Sequence, residues 1–288
     1  MRSPSPEAAF SPQSNRSQPA VSPAVQPPFR HRVRPLITLL TDFGTADGYV
    51  AEMKGVLLSH APEATIVDVS HDVAPQDVEG ARLALARYWR RFPPGTVHVC
   101  VVDPGVGTAR AALAVESHDR LLLGPDNGLL SPALLFQGTR VVSLPVPAGV
   151  APTFHGRDVF APAAARLATG AALDDLGHPA TDPVVRRTPE ARRLPDGSIE
   201  GTVIAVDRFG NAVTNLLASG AVAQGVGAAV EVAGRALPVR RVYAEAAPGE
   251  ALVLPGSNGL LEIAVRDGNA AARLALVRGT QVRLRLPG

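Results

Sequence analysis

The sequence predicts an α/β domain followed by a smaller all-β, barrel-like domain. From Pro35 to about residue 181, apolar runs of strand length alternate with segments of helical period. Beyond about residue 198, only short Val- and Leu-rich runs remain, broken by Gly, Pro, Asp and Asn. Size is the third observation. A chain of 288 residues, 46% hydrophobic, can bury one large core or two modest ones, filled by Ala, Val and Leu because aromatics are only 4%.

In chain order, residues 1–34 are rich in Pro, Ser, Gln and Arg and poor in aliphatics, the composition of a disordered leader. A transit-like peptide or a start codon placed too early would read the same way. Leu36–Leu40 is the first strand and ends at Thr41-Asp42-Phe43-Gly44; a helix is expected near 49–59 and a second strand at Thr65–Val69. Between Asp77 and Arg91, Val78, Ala81, Leu85 and Trp89 recur at helical spacing, with Glu79, Arg82, Arg87 and Arg90 on the opposite face. Thr96–Val102 is almost wholly apolar, as a parallel strand covered on both faces should be. The α/β domain is therefore assigned to residues 35–181. Residues 182–197, rich in Pro and Arg, read as a linker, and residues 198–288 form the barrel-like domain.

Charge and composition exclude several classes. The formal net charge is +2, and Lys54 is the only lysine. The arginines are scattered, with no like-charge block and no aromatic interleaving, so no nucleic-acid partner is expected. Cys100 stands alone inside an apolar run and reads as a buried, inert thiol. No apolar stretch approaches the roughly 18 residues of a membrane span, and no compact secretory signal is present. A soluble protein of the cytoplasm is expected, without a membrane partner. Walker loop, His-Glu-x-x-His, paired-Cys and Gly-x-Ser-x-Gly patterns are all missing, so neither metal nor organic cofactor is expected. Asp42-Phe43-Gly44 has no kinase context around it.

What remains is a set of polar, glycine-rich turns, each expected directly after an apolar strand. They are Thr41–Gly44, Asp103-Pro104-Gly105-Val106-Gly107-Thr108, Gly124-Pro125-Asp126-Asn127-Gly128 and His155-Gly156-Arg157-Asp158. In open α/β sheets, ligands collect outside the carboxyl ends of the strands. The residues alone thus point to an enzyme or small-molecule binder with an Asp/Arg/His site, and leave the substrate open.

These turns, with Phe154–Phe160 and Asp207-Arg208-Phe209-Gly210-Asn211, closely resemble the S-adenosylmethionine hydroxide adenosyltransferase family, relatives of the fluorinases and chlorinases. The resemblance runs in order from about Leu36 to the C-terminus. It implies an α/β domain followed by a β-barrel, a homotrimer with active sites between subunits, and S-adenosylmethionine as substrate. It also implies hydrolysis to adenosine and methionine, an activity that the family associates with the (R) sulfonium epimer. Carried onto this chain, the water-activating residues are Asp103, Arg110 and His155. Asp42 is implied at the ribose hydroxyls, Asn211 at adenine and Asp207 toward methionine, with Asp47, Ser257, Glu262 and Val265 as further substrate contacts. Relatives often carry an acidic residue before the arginine, where this chain has Ala109, which touches the loop surface but leaves Arg110 in place. His71 resembles the family too and reads as structural; His31, His60, His98, His118 and His178 read as surface or packing residues.

The residue types suit that chemistry. Methionine leaves ribose C5′ as a neutral thioether, so the difficulty is the nucleophile, since free water has a pKa near ~15.7. His155 can accept a proton near neutral pH, Arg110 can stabilise developing hydroxide, and Asp103 can orient water. Three other readings stay open: a halide adenosyltransferase, a non-catalytic adenosine or S-adenosylmethionine sensor, and a polyanion-binding protein led by the basic tail. Against the first, halogenating relatives carry tyrosines where this chain has Asp103 and His155. A bare carboxylate 4 Å from a halide would cost about 4 kcal/mol at an effective dielectric near 20. Gly156, in turn, reads as leaving room near the site, as a chlorinase pocket would.

Overall fold

The computed structural model describes residues 34–225 and 227–286, so the leader expected over residues 1–34, and His31 with it, lies outside the described residues except for Arg34. The first elements are β1 (Leu36–Thr41), α1 (Tyr49–His60), β2 (Thr65–Ser70), α2 (Val78–Tyr88) and β3 (Val97–Val101), each within a residue or two of the sequence pattern except the C-terminal end of α2. They are followed by β4 (Ala112–Ser117), β5 (Arg120–Pro125), the single turn α3 (Ser131–Leu134), β6 (Arg140–Leu144), α4 (Ala161–Ala168) and β7 (His178–Pro179). Among the described residues these strands form one sheet in the order β2-β1-β3-β5-β4-β6-β7. It is parallel from β2 to β5 and antiparallel beyond.

The antiparallel half has no clear sequence signature. The β4–β5 hairpin turns at His118 and Asp119, both at positive φ (49° and 59°), between the paired residues Ser117 and Arg120. Both signs are those of a type I′ turn, made here without the Asn-Gly or Asp-Gly that usually announces one.

Helices cover both faces. Leu39 packs with Met53, Leu57 and Ala164 on the α1 and α4 side, whereas its neighbour Leu40 packs with Leu85, Trp89 and Leu113 on the α2 side. That alternation is the pleat of a strand buried on both faces. β3 is wholly buried, and burial pushes the Cys100 thiol up to about 12, which makes it inert at neutral pH. His98 on the same strand bonds Thr38 Oγ1 (2.7 Å) and meets the rings of Tyr88 and Phe92 edge-on. Burial and the charge of Arg120 push its pKa down to about 4, so it packs as a neutral ring.

Asp77 caps α2 by accepting the Gly80 N–H (3.0 Å), and Val78, Ala81, Leu85 and Trp89 are buried as expected. Arg82 departs from the expected exposed face: only 4% of it is accessible. Its guanidinium forks onto Glu79 (2.8 and 2.6 Å) and donates to Thr188 Oγ1 (2.7 Å). Thr188 belongs to the 182–197 segment, which runs along the α/β domain, with Val184 N–H on Asp126 and Arg186 N–H on Ser131. Periodicity could not show this, because the partner arrives from more than a hundred residues away.

The second sheet contains β8 (Arg192–Arg193), β9 (Ile199–Val206), β10 (Ala212–Leu217), β11 (Ala229–Val232), β12 (Arg235–Pro238), β13 (Ala251–Pro255), β14 (Leu260–Val265) and β15 (Gln281–Arg285). All its ladders are antiparallel, in the order β12-β11-β15-β9-β10-β14-β13, with β8 on β9. Just past β12, Val239 bridges Val253 of β13, so the sheet nearly closes into a barrel around Val203, Leu216, Val230, Leu261 and Ile263. Arg278 of this domain grips Asp77 with both terminal nitrogens at 2.8 Å. Among the described residues, no helix is long and apolar enough to cross a membrane.

Removing the carboxylate beside Arg82 leaves a buried cation short of acceptors. Glu79→Ala is expected to lower unfolding stability by about 1–3 kcal/mol. Arg82→Met, which removes the charge and keeps the apolar stem, should cost less. Urea denaturation of the two variants checks the order.

Candidate active site

β1 has β2 on one side and β3 on the other, so the chain reverses direction across the sheet between β1 and β3. A crevice opens there, beyond the carboxyl ends of the strands. The turn after β1 delivers Asp42 and the loop after β3 delivers Asp103, while a loop before α4 brings in His155. The cleft is about 430 Å³ and is lined by Asp42, Asp103 and His155 with Phe43, Tyr49 and Phe154.

Arg110 organises the floor. Its Nε donates to both oxygens of Asp103 (2.9 and 3.1 Å), and its Nη2 donates to Asp103 Oδ2 and to His155 Nδ1 (2.9 Å). Nη1 faces the Ala111 carbonyl at 3.4 Å, and the guanidinium lies 5.8 Å from the centre of the Phe160 ring. The side chains of Asp103 and Arg110 are 5% and 9% exposed, so the ion pair is almost dry. A guanidinium can only donate. His155 Nδ1 therefore accepts, and the neutral ring carries its proton on Nε2. Burial and the nearby charge of Arg110 lower the His155 pKa, against the opposite pull of Asp103 and Asp158.

The loops are held from behind. Gly107 (φ 77°) lies so close to Pro152 that a Cβ would sit 2.7 Å from its carbonyl oxygen, which seats the 145–155 loop on the 103–110 loop. Asp158 accepts the Ala151 N–H (3.0 Å) and pairs with Arg157, which stacks on Phe154. On the opposite wall, Asp42 Oδ2 accepts the Gln76 N–H at 2.7 Å, with Gln76 in the left-handed region (φ 64°). Gly156 does not leave the room the sequence suggested. A Cβ there would fall 3.2 Å from Met53 Sδ and 3.3 Å from the edges of Phe43 and Phe154, so the space is already filled.

The remaining sequence candidates lie elsewhere. Asp47 is exposed in the turn before α1 and is not among the residues that line the cleft. On the barrel, Asp207 accepts the backbone N–H groups of Phe209 and Asn211 (2.9 and 2.8 Å) and the Asn211 side-chain amide (3.0 Å), which fixes the turn; among the described residues, no donor reaches Asn211 Oδ1. The same amide reaches Tyr243 Oη at 3.3 Å. Glu262 is almost buried; burial raises its pKa, as does the charge of Asp207, with Arg87 opposing. Val265 is buried in the barrel core, and Ser257 lines a separate groove beside Arg87 and Arg90 of α2 and the turn after it. A single chain therefore brings Asp42, Asp103, Arg110 and His155 together, and separately Asp207, Asn211 and Glu262.

Sequence reasoning passed over Tyr49, Gln76 and Tyr243. Phe43, Tyr49 and Phe154 form an edge-to-face trio with ring centres 5.3–6.2 Å apart. Phe43 and Phe154 sit inside quoted motifs, but nothing in the sequence shows that they meet. Gln76 acts through its backbone, which carries no side-chain signal.

A two-layered-helix α/β domain with a charged cleft at its switch point, joined to a β-barrel, defines a class of small-ligand protein. Within that class, residues 37–177 match the SAM hydroxide adenosyltransferase N-terminal domain and residues 201–283 the C-terminal domain, and the chain belongs to this family. It is 44% identical over 260 residues to the (R)-S-adenosyl-L-methionine hydrolase of Thermus thermophilus, covering 86% of this chain and 98% of that protein. It is 31% identical to a fluorinase of Actinopolyspora mzabensis over 87% of this chain and 97% of that one. A crystal structure of an uncharacterized conserved protein from Thermotoga maritima superposes with a TM-score of 0.80 at 33% identity, covering 87% of this chain and all of the other.

The tautomer is directly measurable. Nitrogen NMR of His155 should show an unprotonated Nδ1 and a pKa below the ordinary 6.5, and Arg110→Ala should raise that pKa. A titration above 6.5 in the intact protein would contradict the geometry.

Proposed function

We propose that the chain hydrolyses S-adenosylmethionine, as the (R) sulfonium epimer, to adenosine and methionine. The observation that carries this is the Asp103–Arg110–His155 contact at the floor of the cleft, in a chain 44% identical to an (R)-S-adenosyl-L-methionine hydrolase. Water oxygen bonds to ribose C5′ as the C5′–S bond breaks; the bonding pair goes to sulfur, methionine leaves as a neutral thioether, and the water proton passes to solvent. Such a leaving group needs neither an acid nor a Lewis acid, so no metal or organic cofactor is required.

The roles follow from the lone pairs. His155 Nδ1 is occupied by Arg110, which makes His155 a donor through Nε2 that orients water rather than the base that residue type alone suggests. Asp103 is the anionic acceptor for the water O–H, and Arg110 holds both. Pairing also cancels the arginine charge, so a cationic sulfonium is not repelled. Asp42 takes the ribose hydroxyls with its free oxygen. The pairing corrects the electrostatic case against halide as well. Asp103 is not a bare carboxylate, and repulsion is weaker than a lone charge would give. A halide is disfavoured instead because most donors of Arg110 are already taken.

The assembly is a cytoplasmic homotrimer in which Asp207, Asn211 and Glu262 of a neighbouring copy close the cleft, with Asp47 at its rim; Val265 supports them from the barrel core. Two features support this: the cleft is lined by the α/β domain alone, and Phe209, beside Asp207, is 78% exposed. Neither nucleic acid nor membrane is a partner.

Purified protein is expected to release adenosine and methionine in equal amounts without added metal. Molar chloride should give no 5′-chlorinated nucleoside by mass spectrometry. Asp103→Asn and His155→Ala should each cut turnover by roughly 10²–10⁴-fold. Methylthioadenosine as the main product would overturn the assignment. Refolding a mixture of Asp103→Asn and Asn211→Ala chains should restore part of the activity; no recovery would place both residue sets in one subunit's site.

A further inference from the structure

We propose that His71 is a positioning residue for recognition of the ribose diol, holding the Thr41–Gly44 turn that aims Asp42. The proposal rests on Asp42 as the ribose ligand. His71 grips the turn at both ends. Its Nδ1 lies 2.8 Å from Thr41 Oγ1, and its carbonyl accepts the Gly44 N–H at 2.8 Å. Between these anchors sits Asp42. Thr41 Oγ1 also accepts the Phe43 N–H (3.3 Å), so its single proton is free to point at His71.

Behind the imidazole, polarity continues to the surface. His71 Nε2 lies 3.1 Å from Asp68 Oδ1, a close electrostatic contact rather than a linear hydrogen bond, and Asp68 Oδ2 accepts from Lys54 Nζ at 2.6 Å. Although burial pulls the other way, Lys54 and His71 hold the Asp68 carboxyl below its ordinary value. An anionic Asp68 favours the tautomer with its proton on Nε2, which leaves Nδ1 as acceptor for Thr41. His71 is 6% exposed, while Asp68 and Lys54 are partly open to solvent. The only lysine of the chain is thus spent on a carboxylate behind the site. Packing alone would be served by an apolar side chain at position 71. A polar chain of this direction is needed only if the hydroxyl of Thr41 must be fixed.

On the other side, Asp42 Oδ2 is tied to the Gln76 N–H. One carboxylate oxygen is therefore committed, and the turn decides where the other points. Losing the hold on Thr41 should blur that direction without touching the cleft floor, where water is activated.

Calorimetric titration of the full-length protein with adenosine and with 2′,3′-dideoxyadenosine separates the roles. His71→Ala and the near-isosteric Thr41→Val are expected to weaken adenosine about tenfold, the scale of one well-placed hydrogen bond, and to leave the dideoxy analogue within about twofold. His71→Asn, whose amide can still meet Thr41, should recover most of the loss. Asp42→Asn should show the same selectivity for the diol. Equal weakening of both nucleosides by Thr41→Val and His71→Ala, or no weakening of either, overturns the positioning role when Asp42→Asn remains selective. An unselective Asp42→Asn instead removes the ribose assignment and the positioning role with it.

Discussion

The site depends on one contact: a nearly dry guanidinium that binds both oxygens of Asp103 and, from the same edge, the unprotonated nitrogen of His155. Burying an ion pair is costly unless its remaining hydrogen bonds are satisfied, and here Arg110 spends its donors on Asp103, His155 and the Ala111 carbonyl. The result is a cluster with no net charge and a fixed tautomer. Its Asp103 and His155 line the cleft, so the pair meets whatever binds there as a neutral unit rather than as a bare cation.

The architecture can be understood as what is needed to bring those three residues together. Asp103 and Arg110 come from one loop, which must leave β3 and fold back within seven residues, and Gly107 helps make that possible. At Gly107 the requirement is twofold, a positive φ and contact with Pro152, and the second of these draws the His155 loop onto the first. The parallel strands β1 and β3, buried on both faces, set the separation of the Asp42 and Asp103 walls. The barrel contributes a second polar group, built around Asp207 and Asn211, whose internal bonds fix its shape before any ligand arrives.

Much of this was legible in the sequence where a single physical signal dominates. β1 and β3 followed from apolar runs, the α2 core face from its period, and the barrel from short broken strands. Asp103 and His155 were visible as polar residues in glycine-rich turns, whereas Arg110 and all three roles came from the family resemblance. What stayed hidden depends on partners distant in the chain. Arg82 reads as a surface arginine until Thr188 arrives over it. The β4–β5 turn at His118-Asp119 lacks the residues that usually mark one. His155 reads as a base until Arg110 takes its Nδ1, and no composition rule assigns a lone pair. Gly156 reads as open space until Met53, Phe43 and Phe154 fill it.

Arg110 acts as a fork, holding Asp103 and His155 together, and not merely as a positive charge. Arg110→Lys keeps the charge but cannot reach both partners at once. Single-turnover kinetics of this variant with (R)-S-adenosylmethionine should show the chemical step slowed by roughly 10²–10³-fold, a range set by loss of a preorganised group, with adenosine affinity unchanged. A lysine variant that turns over within about threefold of the parent would show that the positive charge alone suffices.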